Sequence, residues 1–374
     1  MSSIRSRALA NVTSYSVYIA EAAKHMPQRG SIHSVFNAAV NIVFPGIPQG
    51  TRKGYPYHTT PIPGGFVLSL NAASTPRMPN GVQLSSPPGS FPFSALRVGM
   101  PVIFGAQRLH IEAIDCSLDL SQSSQWNPHI QRPNQVDTAT LQKNCTRLKT
   151  IAEEWFHAQG HEGFGMDLVI SRGGSGDVGG GGACTALGWR GARETNVPFP
   201  YHSPQSACTA LGWQGARADD RARLPAPGRC KHPLPTSTTA PAPTESNAAP
   251  TDILPLARHL CGRGIGLTPT GDDILAGWMA AGWLLHGPQA GFVETCRRIV
   301  EIARQQTHLL SQCWLAHAAH GNVAEPIAAL LYAMTCADDF QLENAIKAVL
   351  AMGATSGYDL IQGILLACRM GYNE

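Results

Sequence analysis

The chain has 374 residues, 43% of them hydrophobic and only 14% charged, enough for two ordinary domains or one domain carrying a large insertion around a sizeable core. A formal charge of +3, with no block of like charges, argues against a nucleic-acid partner. The longest apolar run (274–285) is about 12 residues, short of the roughly 20 that span a bilayer, and argues against a membrane protein.

Residues 1–29 have no acidic residue before Glu21 and no hydrophobic signal core, and read as an N-terminal helix or arm. Residues 30–138 read as a β-rich domain. The runs "GFVLSL" (65–70), "PVIFGA" (101–106), "RLHIEAI" (108–114) and "SLDLS" (117–121) are rich in Val, Ile and Leu with partial alternation, the signature of a small antiparallel sheet or barrel. The stretch "STPRMPNGVQLSSPPGSFP" (74–92) is expected to be an irregular loop. A connecting helix within 139–170 follows from the helical spacing of Leu141, Leu148, Ile151, Ala152 and Trp155.

Residues 171–250 change character, with "GGSGDVGGGG" and a Pro/Thr/Ala-rich tract, and read as a disordered low-complexity insertion. It holds a direct repeat, "ACTALGWRGAR" (183–193) and "ACTALGWQGAR" (207–217); two copies fall short of a solenoid. Ten cysteines occur singly with no C-x-x-C pair, which fits reduced thiols in a cytoplasmic protein better than disulfides or a zinc site. "CKH" (230–232) lies in a Pro-rich linker and makes a poor metal site.

Residues 251–374 read as a helical domain, with helices near 272–286, 291–319, 324–336, 341–352 and 358–371 and an N-cap for the fourth at Asp338-Asp339. The expected fold is therefore α+β: an N-terminal antiparallel β-rich domain, then a C-terminal all-helical domain, with the Gly/Pro-rich insertion between them.

One motif occurs twice. "TGDDILAG" (270–277) aligns without gaps on "SGYDLIQG" (356–363): a hydroxyl residue, Gly, any residue, Asp, two aliphatics, any residue, Gly, then an apolar helix. "GLTPTG" and "GATSG" lead into the two copies, which read as equivalent loop-to-helix corners. The first four N–H groups of a helix lack intrahelical partners, and the dipole adds partial positive charge there. Glycines admit a ligand close to the backbone, and hydroxyls add donors. Gly266, Thr268, Thr270, Gly271, Thr355, Ser356 and Gly357 are thus the candidate anion cradle, with Arg263 supplying a forked cationic contact.

The same residues also suit plain N-caps, worth about 1 kcal/mol each, with Gly277 and Gly363 allowing close helix packing. Adjacent helical residues point about 100° apart, so Asp272 and Asp273 cannot both face one site. Asp273 has a counterpart in Asp359 and carries the functional claim; Asp272 reads as a capping carboxylate. The candidate catalytic residues are Asp273, Asp359 and Thr270. "DDILA" lacks a third carboxylate at helical spacing for bridging magnesium, and no G-K-[ST] follows the glycines, so no metal or cofactor is expected.

Other polar residues are candidates to join the site: Thr307, His308 and Ser311 in "RQQTHLLSQCWLAHAAHG", and His33, Ser34, Asn37 and Asn41 in "SIHSVFNAAVNIVF". His317 and His320 lie three apart, near enough for a two-histidine metal site, although histidine near a helix C-terminus more often serves the dipole.

"GxGLTPTGDDILAG", "AMGATSGYDLIQGIL" and "SIHSVFNAAVNI" together resemble the AllH family, the oxamate carbamoyltransferase subunit family, over roughly residues 30–122 and 255–371. Related chains carry a G-x-G-L-T-P-[ST]-x-D-D loop and a second G-x-T-S-G-x-D loop at similar separation. The insertion has no counterpart there. The resemblance implies a subunit of a multi-chain enzyme of allantoin breakdown, a branch of purine catabolism, that moves a carbamoyl group between oxalurate and phosphate and yields oxamate and carbamoyl phosphate. The implied partners are a small anionic substrate (carbamoyl phosphate, oxamate or an oxalurate-like ureido acid) and companion subunits. Orienting two reactants and stabilising an oxyanion supply much of such a catalysis. The alternative is a non-catalytic anion-binding or scaffold subunit.

Overall fold

The computed structural model describes residues 11–23, 28–45, 65–85, 91–159, 253–264 and 266–371. The expected insertion, its repeat, "CKH" and the first ten residues lie outside the described residues.

The first half builds one nine-stranded sheet. Its strands are β1 (Val12–Ser16), β2 (Gln28–Val35), β3 (Ala39–Phe44), β4 (Phe66–Asn71), β5 (Gly81–Leu84), β6 (Pro101–Gly105), β7 (Arg108–Ile111), β8 (Cys116–Asp119) and β9 (Ser124–Trp126), with a short helix α1 (Val17–Ala23) after β1. Their spatial order is β8-β7-β6-β2-β3-β4-β5-β1-β9. Most neighbours are antiparallel, as expected, but β4–β5 and β1–β9 are parallel, so the sheet is mixed.

The strands follow from alternation. In β3, Val40, Ile42 and Phe44 are fully buried while Ala39, Asn41 and Val43 are half-buried, the period-two pattern of a strand with one buried face. The β6–β7 hairpin turns through Ala106 and Gln107 with φ 49° and 58°, the left-handed pair whose twist matches that of the flanking strands.

The stretch 74–92 is not all loop. β5 lies inside it and pairs parallel with β4, with Val82 and Leu84 buried. Side chains hold it: Asn80 donates to the Val67 carbonyl at 3.2 Å, and Gln83 donates to the Thr75 carbonyl at 3.0 Å. A four-residue strand between turn-forming residues is too short to show alternation.

The second half is helical: α2 (Thr138–Ala158), α3 (Leu254–Leu260), α4 (Thr270–His286), α5 (Ala290–Gln306), α6 (Leu309–Ala318), α7 (Glu325–Met334), α8 (Asp339–Leu350) and α9 (Ser356–Gly371). The architecture is α+β. Asp338 caps α8 as expected, its side chain accepting from the Gln341 N–H at 3.0 Å. The expected helix over 291–319 is broken at Thr307 and His308, both extended. The reason is tertiary, because the Thr307 hydroxyl is turned onto Asp272.

Helix α2 docks on α7 and α8 through buried Asn144, whose amide donates to the Met334 and Cys336 carbonyls at 3.0 and 2.8 Å and satisfies groups that a helix end leaves open. Strand-side residues also touch the helices. Arg132 donates to the Leu284 and Leu285 carbonyls at the end of α4, and Val67 of β4 packs with Leu310 and Cys313 of α6. No helix among the described residues is long and apolar enough to cross a membrane.

Candidate functional site

Helices α4 and α9 are the centre of the helical region. Both are buried around most of their circumference, as suits helices with almost no charge beyond the first turn. Glycines let them meet backbone to backbone: a β-carbon at Gly277 would overlap the Leu360 carbonyl, and one at Gly363 would overlap the Ile274 carbonyl. The exchange is reciprocal, since Gly277 and Gly363 hold equivalent places in the repeated motif.

The glycines at the helix starts repeat the device six residues earlier. Gly271 faces the carbonyl of Leu260, the last residue of α3, and Gly357 faces the carbonyl of Val349 near the end of α8. Two helix–loop–helix units, α3–α4 and α8–α9, thus share one local packing scheme and lie against each other through α4 and α9.

This arrangement brings the starts of α4 and α9 to one locus. The Thr268 and Ser356 hydroxyls hydrogen-bond at 3.0 Å across 88 residues of sequence. Thr270 donates to Asp359 at 3.0 Å, while Ser356, its counterpart, lies beside Asp273 and lowers the cost of charging it. Each corner's hydroxyl therefore serves the other corner's carboxylate. Thr268 also lies beside Asp273, and Thr355 beside Asp359, each favouring the charged carboxylate.

Both carboxylates are buried, each 8% exposed. Burial pushes Asp273 well above the carboxylate range; the Ser356 and Thr268 hydroxyls oppose this, and the charges of Asp359 and Asp272 add to it. Burial pushes Asp359 up to about 6, opposed by Thr270 and Thr355. The second Asp273 oxygen, Oδ2, is buried with no hydrogen-bond partner among the described residues.

Asp272 points elsewhere, as its position 100° around the helix requires. Its carboxylate accepts from the Gly262 N–H at 2.8 Å and from the Thr307 hydroxyl, tying the loop to the α5–α6 junction rather than capping its own helix. Ser311 is buried beneath the loop and donates to the Leu267 carbonyl at 3.4 Å. Thr307 and Ser311 are therefore supports of the first corner.

Much of the expected cradle is already hydrogen-bonded internally. The N–H groups of Gly271, Asp272 and Asp273 donate to the carbonyls of Arg263 and Pro269 at 2.8–3.1 Å, and those of Gly357 and Asp359 to Met352 and Thr355 at 2.9 and 3.0 Å. What stays open is the outer side of the loops. Gly266 has φ 99°, and a β-carbon added there would meet nothing within 4 Å. Arg263 and Thr355 are exposed. The Arg263 side chain makes no hydrogen bond or ion pair among the described residues.

The remaining candidates lie apart. Asn41 donates to Ser34 at 3.0 Å within the β2–β3 pair, His33 has a buried ring nitrogen without a described partner, and Asn37 is exposed in the turn. His317 lies against the Tyr18 ring; burial, with His320 nearby, pushes it down to about 4. His320 hydrogen-bonds the Ala316 carbonyl at 2.8 Å. No group of three or more His, Cys, Asp or Glu suited to a metal ion occurs among the described residues.

The corners, their carboxylates and the helices behind them coincide with one family signature. Residues 260–368 match the family model of oxamate carbamoyltransferase subunit AllH. The AllH match runs from Leu260, which receives Gly271, to Cys368 near the end of α9, and so encloses both copies of the repeated motif and every corner residue named above. The resemblance seen in "GLTPTGDDILAG" and "GATSGYDLIQG" is borne out over that span. No solved structure matches the chain.

Proposed function

We propose that this chain is a subunit of an oxamate carbamoyltransferase-like enzyme, and that the paired corners hold its carbamoyl-bearing, anionic substrate. One observation carries the reading: the Thr268–Ser356 and Thr270–Asp359 bonds make a single locus of two loops, inside the segment that matches AllH. The name of that family supports companion subunits as partners.

In this reading the substrate anion sits on the open side of the loops, met by Arg263, Gly266 and Thr355, with the N-terminal ends of α4 and α9 adding favourable potential. A phosphate oxygen attacks the carbamoyl carbon of oxalurate or a related ureido acid, and the bond from that carbon to the inner nitrogen breaks. The leaving nitrogen takes a proton, giving oxamate and carbamoyl phosphate. Asp359, held near 6, is poised to give or take that proton close to neutral pH.

A specific observation favours the second reading, an anion-binding or scaffold subunit without catalysis. The loop glycines Gly271 and Gly357 face protein carbonyls, as packing devices do. Arg263→Ala separates ligand holding from packing, because that side chain is exposed and supports no described contact. Phosphate at millimolar concentration is expected to raise the melting temperature of the full chain. The variant, melting unchanged without ligand, is expected to lose most of that rise, as removal of a charge-assisted contact worth about 2 kcal/mol implies. A phosphate response untouched by Arg263→Ala would count against the corners as the anion site.

A further inference from the structure

We infer that Cys145 of α2 and Cys368 of α9 form a redox-responsive pair, which closes to a disulfide when a low-molecular-weight disulfide oxidises it and so staples the two helices together at the end of α9 away from the corners. The pair stands apart from the corners and does not depend on what they bind.

The packing of α2 on α9 sets the two thiols level. The Tyr358 ring, in the first turn of α9, stacks on Phe156 with 4.4 Å between ring centroids and lies 6.5 Å from Trp155, near the end of α2. Cys145 precedes Phe156 by eleven residues, and Cys368 follows Tyr358 by ten. At a rise of about 1.5 Å per residue these spans are about 16 and 15 Å, so antiparallel helices that meet at the aromatic end bring the cysteines opposite each other. Helical spacing puts both on the shared face. Cys145 stands in the stripe of buried Leu141, Leu148, Ala152 and Phe156, and Cys368 in that of Tyr358, Ile361 and Leu365. The side chains meet there: the Cys368 thiol lies beside the Cys145 sulfur and lowers the cost of charging it.

Exposure divides the roles. Cys145 is half-buried and within reach of a small reagent, whereas Cys368 is only 3% exposed. The neighbouring Cys368 thiol holds Cys145 below the usual thiol range, against the opposing effect of burial, and makes it the attacking sulfur. The same contact and burial hold Cys368 well above that range, so it keeps its proton until its partner has reacted. By contrast, burial pushes Cys261 and Cys313 up to about 12 and Cys296 higher still, which keeps those thiols inert.

With oxidised glutathione the exchange balances in two displacements. The Cys145 thiolate attacks one glutathione sulfur, the glutathione S–S bond breaks, and one glutathione thiolate leaves. Cys368 then loses its proton and attacks Cys145 Sγ, the mixed disulfide breaks, and the second glutathione thiolate leaves. The protein thiols give up two electrons and two protons, and one glutathione disulfide gains them as two thiols.

The test equilibrates the full chain in glutathione buffers of increasing oxidised fraction, traps free thiols by alkylation, and maps unreduced peptides by mass spectrometry. The expected result is a peptide pair joined through Cys145 and Cys368 in at least about half of the molecules, under a buffer that leaves Cys261, Cys296 and Cys313 free. The oxidised chain is expected to melt about 5 °C higher, reversibly with dithiothreitol, because the link closes a long loop of the unfolded chain. Cys145→Ser, at a half-buried position, is expected to lose both the link and the rise. Cys145 found only as a free thiol or as its glutathione mixed disulfide overturns the pair, and so does a melting rise that persists in Cys145→Ser. The wild-type peptide map decides even if the variant fails to fold.

Discussion

Gly277→Ala is expected to lower the unfolding free energy by about 3 kcal/mol, at the upper end of what overpacking a well-filled core usually brings. Its new methyl would fall on the Leu360 carbonyl, and Gly363→Ala would fall on the Ile274 carbonyl. Neither neighbour is a flexible side-chain tip that swings aside; both are helical backbone, so α4 and α9 must separate. The separation would also stretch the Thr270–Asp359 and Thr268–Ser356 bonds, so ligand affinity should fall along with stability. Gly291→Ala is the control: it lies at the exposed start of α5 with nothing within 4 Å of the added carbon, and should be neutral or stabilising by up to about 1 kcal/mol. Urea denaturation of the three variants checks the contrast. Stability losses at Gly277 no larger than at Gly291 would mean that the two helices do not meet at these glycines.

Asp359→Asn is expected to do the opposite at neutral pH, stabilising the fold by on the order of 2 kcal/mol. A carboxyl pushed from its ordinary 3.8 up to about 6 binds more protons in the folded than in the unfolded chain between those values. Stability therefore falls as pH rises from about 4 to about 6, by roughly 1.4 kcal/mol for each unit of displacement. Asparagine carries no charge at any pH and still accepts from Thr270, so the variant escapes that loss. Its advantage should be full above about pH 6, shrink to a small remainder at pH 4 and vanish below about pH 3, where the wild-type carboxyl is protonated in both states. Burial raises Asp273 in the same direction, with the Asp359 charge contributing, so the wild type should destabilise further as pH rises. Unfolding measured at pH 4, 5, 6 and 7.5 gives the profile; a variant less stable than the wild type at pH 7.5 would contradict a strained carboxyl. A carboxylate kept at a stability cost is what a functional group, rather than a cap, is expected to show.

Much of this was legible in residues. The repeat of Gly, Asp and Gly at fixed offsets located both helix starts and singled out Asp273 over Asp272, and β4, β6, β7 and β8 announced themselves by alternation or β-branched runs. What stayed hidden was decided by distant contacts. Strand β5 is too short to carry a pattern and is held by Asn80 reaching β4 and Gln83 reaching the turn that follows it. The break between α5 and α6 depends on a hydroxyl finding Asp272, which no local propensity records. The crossing of hydroxyls between corners was equally invisible, since it depends on two helices meeting 86 positions apart in the alignment of the repeat. That crossing changes the chemistry expected of Thr270 and Ser356: Thr270 bonds a carboxylate and Ser356 the Thr268 hydroxyl, and the open donor lies further out, at Arg263.

The central claim is that two corners, distant in sequence, act as one binding site, and a double-mutant cycle on oxamate affinity tests it most directly. Thr270→Ala, Ser356→Ala and the double variant of the full chain would be titrated beside the wild type. If the corners are one site, each single change already disturbs the shared carboxylates, and the double variant should bind oxamate little worse than the weaker single, a coupling of about 1 kcal/mol or more. Affinity losses that simply add within about 0.3 kcal/mol would show two independent corners and contradict the account.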